Sequence, residues 1–136
     1  MATRTAVAAR TTAVLTGNGT ADYASDLDMN LTLDNEVTVE ITGTLGSLTN
    51  IIPRFHGGAS ASPTATLGNG TAMLTETITD ATWTRVVTVR CHSRYFRASV
   101  TGTGATATSS DAVINYYYQP NTMTGSNVNG APKLAS

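Results

Sequence analysis

Cysteine, lysine, histidine and charge are all scarce in this chain. Its 136 residues hold one Cys (Cys91), one Lys (Lys133), one Trp (Trp83) and two His, His56 and His92. One cysteine cannot pair within the chain, which excludes a disulfide scaffold. Cys91 and His92 are neighbours, so on a strand they point to opposite sides, and His56 stands alone in Phe55-His56-Gly57-Gly58. No metal centre and no cofactor are expected from such a set. Eight basic residues against nine acidic ones leave a net charge of -1, which argues against a nucleic-acid partner bound by bulk charge. Long-chain helix formers are thin, which excludes a coiled coil or helical bundle. No run approaches the ~20 apolar residues of a membrane span. The opening, Met1–Arg10, lacks an apolar stretch of secretory length. A soluble chain with no membrane partner is expected.

Threonine is abundant instead: 26 residues, beside 18 Ala and 12 Gly. The branched threonine side chain suits a pleated strand, and its hydroxyl tolerates water. Period-two alternation is cleanest from 27 to 41. Leu27, Met29, Leu31 and Leu33 alternate with polar residues, as do Val37, Val39 and Ile41. A three-residue loop, Asp34 to Glu36, would pair Leu33 with Val37, Leu31 with Val39 and Met29 with Ile41, keeping the apolar side chains on one face. Further strands are read at 11–16, 47–55, 64–67, 71–79, 83–91, 94–101 and 109–118, and Asn69-Gly70 reads as a type I′ hairpin turn. The pattern predicts an all-β antiparallel β-sandwich, a jelly roll or an immunoglobulin-like Greek key. Its expected core is Leu31, Leu33, Val37, Val39, Ile41, Leu74, Trp83, Val87, Val89, Phe96, Val100 and Ile114.

The length fits one domain at 11–118, with an N-terminal arm at 1–10 and an extended C-terminal arm at 119–136. Both arms lack periodicity, and the second carries Pro120, Pro132, Gly125 and Gly130. Ordering each such residue costs on the order of 1–2 kcal/mol in backbone entropy, so the arms are expected to be held by neighbouring chains.

No catalytic arrangement emerges. There is no Gly-x-Ser-x-Gly elbow, and Cys91 falls on the expected core face. The carboxylates sit mostly at turns or on solvated strand faces, where acids normally sit. Arg85, Arg90, Arg94 and Arg97 bunch around Tyr95 and Phe96. Such a patch suits single-stranded nucleic acid, but the low overall charge favours a sheet face whose Arg forks pair with carboxylates. In Tyr116-Tyr117-Tyr118 the side chains alternate, so at least one ring leaves the core, where it can stack on sugar or anchor a protein interface.

Residues 76–118 carry a family resemblance in three stretches: Thr82-Trp83-Thr84-Arg85-Val86-Val87, Arg94-Tyr95-Phe96-Arg97-Ala98-Ser99-Val100-Thr101-Gly102 and Ala112-Val113-Ile114. This third of the chain resembles small β-sandwich virion proteins of tailed bacteriophages, of the capsid decoration or cement type. The resemblance implies a non-enzymatic structural role in the virion, assembled in the bacterial cytoplasm. Its implied partners are the major capsid protein or other virion proteins and further copies of this chain. It carries no catalytic, cofactor or metal residues. Candidate interface residues are Arg94, Arg97, Tyr116, Tyr117, Tyr118, Pro120, Met123, Lys133 and Leu134. The alternatives are a carbohydrate-binding or adhesin-type sandwich module, or a neck, tail or fibre component. Exposed coplanar aromatics over a groove would mark the sugar-binding alternative, whereas buried arms and partner contacts would mark assembly.

Overall fold

A computed structural model of the chain describes residues 4–67, 76–105 and 109–121. Strands in these residues are β1 (Thr5–Arg10), β2 (Ala21–Tyr23), β3 (Leu27–Asp28), β4 (Glu36–Thr44), β5 (Asn50–Gly58), β6 (Thr82–Arg90), β7 (Tyr95–Thr103) and β8 (Asp111–Tyr118). The first sheet runs β1-β8-β4-β6. In the second, β7 is central, β5 lies along one edge, and β2 followed by β3 lies along the other.

The pairs nest. β1 pairs with β8, β2–β3 with β7, and β4 with β6, while β5 meets Thr66 and Ile78 in isolated bridges. The chain is thus one long antiparallel hairpin rolled over itself, with successive limbs alternating between sheets. That connectivity is a jelly roll, which decides between the two sandwiches the sequence allowed.

β4 forms where the sequence alternates best. Val37, Val39 and Ile41 are buried against the opposite sheet, while Thr38, Glu40 and Thr42 stay on the outer face. The next inward position is Gly43, opposite Trp83 on β6. A Cβ there would lie 2.5 Å from Trp83 Cζ2 and 2.7 Å from the Asp111 carbonyl oxygen, so the indole occupies the room a side chain would take. Val37, Val39, Ile41, Trp83, Val89, Phe96, Val100 and Ile114 are buried as expected, joined by Leu15, Leu27, Met29, Leu48, Ile51, Phe55, Ile78 and Tyr116.

The 27–33 strand is where the sequence reading fails. Only Leu27–Asp28 is strand, and a 3-10 turn follows at Met29–Leu31. The Asp28 carboxylate accepts from Asn30 N at 3.0 Å and starts that turn, a local bond that competes with a ladder. Leu31 is therefore 53% exposed rather than core, and Leu33 and Val87 are only half-buried. No Leu33–Val37 hairpin forms. Asp34 and Asn35 both take positive φ, 63° and 57°. Leu31 and Leu33 bond instead to residues beyond β8: Leu33 N donates to Gln119 O, and Asn121 N to Leu31 O. β4 lies between β6 and β8.

The N-terminal arm also needs correction. Thr5–Arg10 is a strand of the first sheet, paired along β8, whereas 11–16 is mostly loop with one bridge at Val14. Small alternating residues (Ala6, Val7, Ala8, Ala9) carry too little contrast to show a period. Leu74, the Asn69-Gly70 turn, most of the 71–79 strand and residues 122–136 lie outside the described residues.

These placements separate two leucine-sized side chains by role. Ile114→Ala should cost about 2–5 kcal/mol through lost burial and the cavity left behind. Leu31→Ala should stay within about 0.5 kcal/mol. Urea denaturation of both variants measures the difference; equal losses would restore Leu31 to the core.

Candidate functional site

The densest polar cluster among the described residues lies on the outer face of the second sheet, where β5 and β7 run side by side. His56 faces Arg97 across the ladder, and Arg54 faces Ser99. Tyr23, on β2, flanks Ser99 from the other side. His56 Nε2 is 2.7 Å from Ser99 Oγ, and His56 Nδ1 is 3.1 Å from the Thr64 carbonyl oxygen. A carbonyl only accepts, so Nδ1 carries the ring proton, and the neutral ring accepts the Ser99 hydroxyl at Nε2. Burial, reinforced by the nearby Arg97 and Arg54 charges, holds the His56 pKa below the ordinary 6.5.

Serine, imidazole and an orienting acceptor in that order form the hydrogen-bond sequence of an activated nucleophile. Access decides against that use. Ser99 is 1% and His56 4% exposed, and Ser99 lies mid-strand with Tyr23 and Arg54 on either side. The cluster instead holds down the 59–66 loop. Asp26 accepts from Ser62 N at 2.6 Å, and Arg97 donates to Pro63 O at 2.7 Å and to Ser62 O at 3.2 Å. The Arg97 guanidinium also lies 3.7 Å from the Tyr23 ring centroid, a cation–π contact. His56, read from sequence as a lone loop residue, is the buried pin of this strap. Its partner Ser99 is 43 residues away, and nothing local in the sequence signals the pair.

Three of the four clustered arginines pair with carboxylates, as the sequence reading favoured: Arg85 with Glu76 and Asp80, Arg90 with Glu36, and Arg94 with Asp28. The guanidiniums hold the Asp28 and Glu76 carboxyls below the usual carboxylate range. Cys91 is buried, and burial pushes its thiol pKa up, which suits packing better than nucleophilic attack.

The candidate interface residues do not gather into one surface. Arg94 sits just before β7, on Asp28 and 5.2 Å from the Tyr95 ring centroid. Arg97 is occupied by the strap. Tyr116 and Tyr118 are buried core residues, so they are withdrawn as interface candidates. The alternation leaves Tyr117 on the outer face of the first sheet, its hydroxyl donating to Glu40 at 3.3 Å. That carboxylate holds the Tyr117 pKa above its ordinary value. Pro120 is half-buried and bridges to Thr32. Met123, Lys133 and Leu134 lie outside the described residues.

The outer face of the first sheet differs in kind. Thr38 and Thr88 face each other with hydroxyls 3.0 Å apart, as do Thr42 and Thr84 at 3.4 Å. Val86 sits between these pairs on β6 and is 62% exposed. Among the described strand residues, charge on this face lies at Glu40, which accepts from Tyr117, at the Glu36–Arg90 pair at one end and at Asp111 at the other. A shallow depression of roughly 370 Å3 lies near that Asp111 end, bordered by Thr42, Thr44, Thr82, Thr84 and Val113.

Buried, neutral His56 has a consequence for acid stability. The unfolded chain takes up a proton near 6.5, the folded chain only at lower pH, so stability falls as pH drops below about 6.5. The Asp28 and Glu76 pairs begin to weaken only below about pH 5, where carboxyl groups start to protonate. Calorimetry should therefore show the wild-type melting temperature falling between pH 7 and pH 5, and His56→Gln falling less. Equal slopes would contradict the assigned ring environment.

Comparison with family models and with curated proteins returned no match. Among solved structures, the chain is similar to a protein of Bacillus endospore appendages, described as a novel family of disulfide-linked pili. The TM-score is 0.45 at 15% identity, over 88% of this chain and 92% of that one.

Proposed function

We propose that this protein is a non-enzymatic structural subunit of a virion, a decoration protein on the head of a tailed bacteriophage, held there by the major capsid protein and by copies of itself. The observation that carries this reading is the outer face of the first sheet. It is threonine-rich, exposes Val86, and carries one charged side chain near its middle, Glu40, which accepts from the Tyr117 hydroxyl. Protein interfaces are depleted of charge at their core in the same way. The opposite face supports the reading from the other side. Its polar groups hold the domain's own loop, and its serine–histidine pair is closed to substrate.

Co-sedimentation with phage heads that lack the protein tests the reading. The purified chain should pellet with heads. Replacing Thr38 and Thr88 with lysine should weaken that binding at least about tenfold, a loss of about 1.4 kcal/mol, with the domain still folded by circular dichroism. Failure to bind heads, or specific capture on a glycan array, would overturn the proposal.

A further inference from the structure

The four outer edges of the two sheets are not treated alike. β1 carries a register irregularity between Ala8 and Arg10. The β2–β3 edge is broken: three residues, Ala24 to Asp26, face two on β7. The β5 edge is covered by bridges from Thr66 and Ile78. Bulges, breaks and covering segments are the devices by which sheets avoid edge-to-edge pairing. β6 has none of them. Its nine residues pair one-to-one with β4, it contains no proline, and among the described residues nothing pairs along its second edge.

Only the outward-facing centre of that edge reads alike in both directions: Thr84, Val86 and Thr88 match about the midpoint, whereas Arg85 and Val87, Trp83 and Val89, and Thr82 and Arg90 differ. Val86 is the fifth of nine residues in Thr82–Arg90. Antiparallel pairing with an identical strand about Val86 sets Val86 against Val86, Thr84 against Thr88, Arg85 against Val87 and Trp83 against Val89. β6 already pairs threonine with threonine through hydroxyls on its β4 side, and the new ladder repeats that match. On β6 itself the charged side chain near the middle, Arg85, points to the inner side and is neutralised by Glu76 and Asp80, and Glu40, opposite Val86 on β4, stands one strand back from the edge. Arg90, at the end, is paired with Glu36. Like charge does not oppose the approach.

We propose that two copies of this chain join along β6 in an isologous two-fold contact centred on Val86, making one continuous sheet across the pair. The proposal rests on the reading of the protein as an assembling subunit and names one of its partners, a second copy. A second copy is the occupant that suits the Thr84–Val86–Thr88 centre, because a symmetric contact needs a surface that matches itself.

Cysteine cross-linking in the full chain reads out the register, with buried Cys91 as the wild-type background. Residues directly opposite in an antiparallel pair have Cα atoms about 4.5–5.5 Å apart, within disulfide reach. Val86→Cys should form disulfide dimers under mild oxidation at least about tenfold faster than Thr84→Cys, whose two copies lie about 13 Å apart along the strand. An equimolar mixture of Thr84→Cys and Thr88→Cys should give the mixed dimer. Val86→Lys should sediment as a monomer at concentrations where wild type is a dimer. Val86→Cys linking no faster than Thr84→Cys, or an unaltered Val86→Lys dimer, would overturn the contact. Head binding is measured separately. Dimers that ignore heads would sink the virion reading and leave the contact standing, whereas monomers that bind heads would do the reverse.

Discussion

One hydroxyl joins the two sheets at the place where the second sheet breaks. Between β2 and β3 the chain gains a residue: Ala24, Ser25 and Asp26 span the stretch where β7 has only Ala98 and Arg97. Ala24 N donates to Ala98 O, which leaves the Ala98 N–H and the Ser25 carbonyl without ladder partners. Tyr116, from β8 in the facing sheet, supplies both: its hydroxyl accepts from Ala98 N at 2.9 Å and donates to Ser25 O at 2.8 Å. Burial pushes its pKa up, so the donor proton is retained. Its ring packs edge-on to Phe96, with centroids 5.5 Å apart. Ser25 N in turn donates to Ala9 O on β1. An unpaired buried polar group costs about 1–3 kcal/mol, so a bulge at this depth is tolerable because the tyrosine answers it.

The rest of that face follows from the bulge. It delivers Asp26 to Ser62 N, which begins the strap that Arg97 and His56 complete. The strap closes the Ser99–His56 pair, so polar chemistry on this side serves rigidity. The first sheet needs no comparable device. Its ladders run regularly through β4, and among the described residues nothing pairs along the β6 edge. A domain with one face tied down and the other left regular suits the assembly proposed above, in which the closed side would fix the shape and the open side would meet other chains. The proposed two-fold pairing along β6 and contact through the threonine face would use adjoining parts of the same open side.

Part of this was legible in the sequence. β4 was clear because large apolar and polar residues alternate without interruption, and β6, β7 and β8 begin and end within about two residues of where alternation put them, the usual scatter of element ends. The tyrosine run was readable in parity as well: placing Ile114 inside sends residues 116 and 118 the same way at period two. Assigning all three tyrosines to an interface overlooked that constraint. The break at 29–31 was hidden because Leu27, Met29, Leu31 and Leu33 imitate a strand, while the feature that ends it is a local bond from Asp28. The bulge, the strap and the His56–Ser99 pair are set by contacts between residues far apart in the chain. Composition and periodicity carry no trace of them.

The Tyr116 hydroxyl, rather than the ring alone, holds the bulge and with it the join between sheets. Tyr116→Phe keeps the ring and removes only that oxygen. Amide hydrogen exchange at Ala98, measured beside the urea stability of the variant, tests the claim most directly. Tyr116→Phe should lose about 1–3 kcal/mol, with the Ala98 amide becoming the most weakened site of β7. Wild-type stability and unchanged Ala98 protection would show that the bulge stands without the hydroxyl.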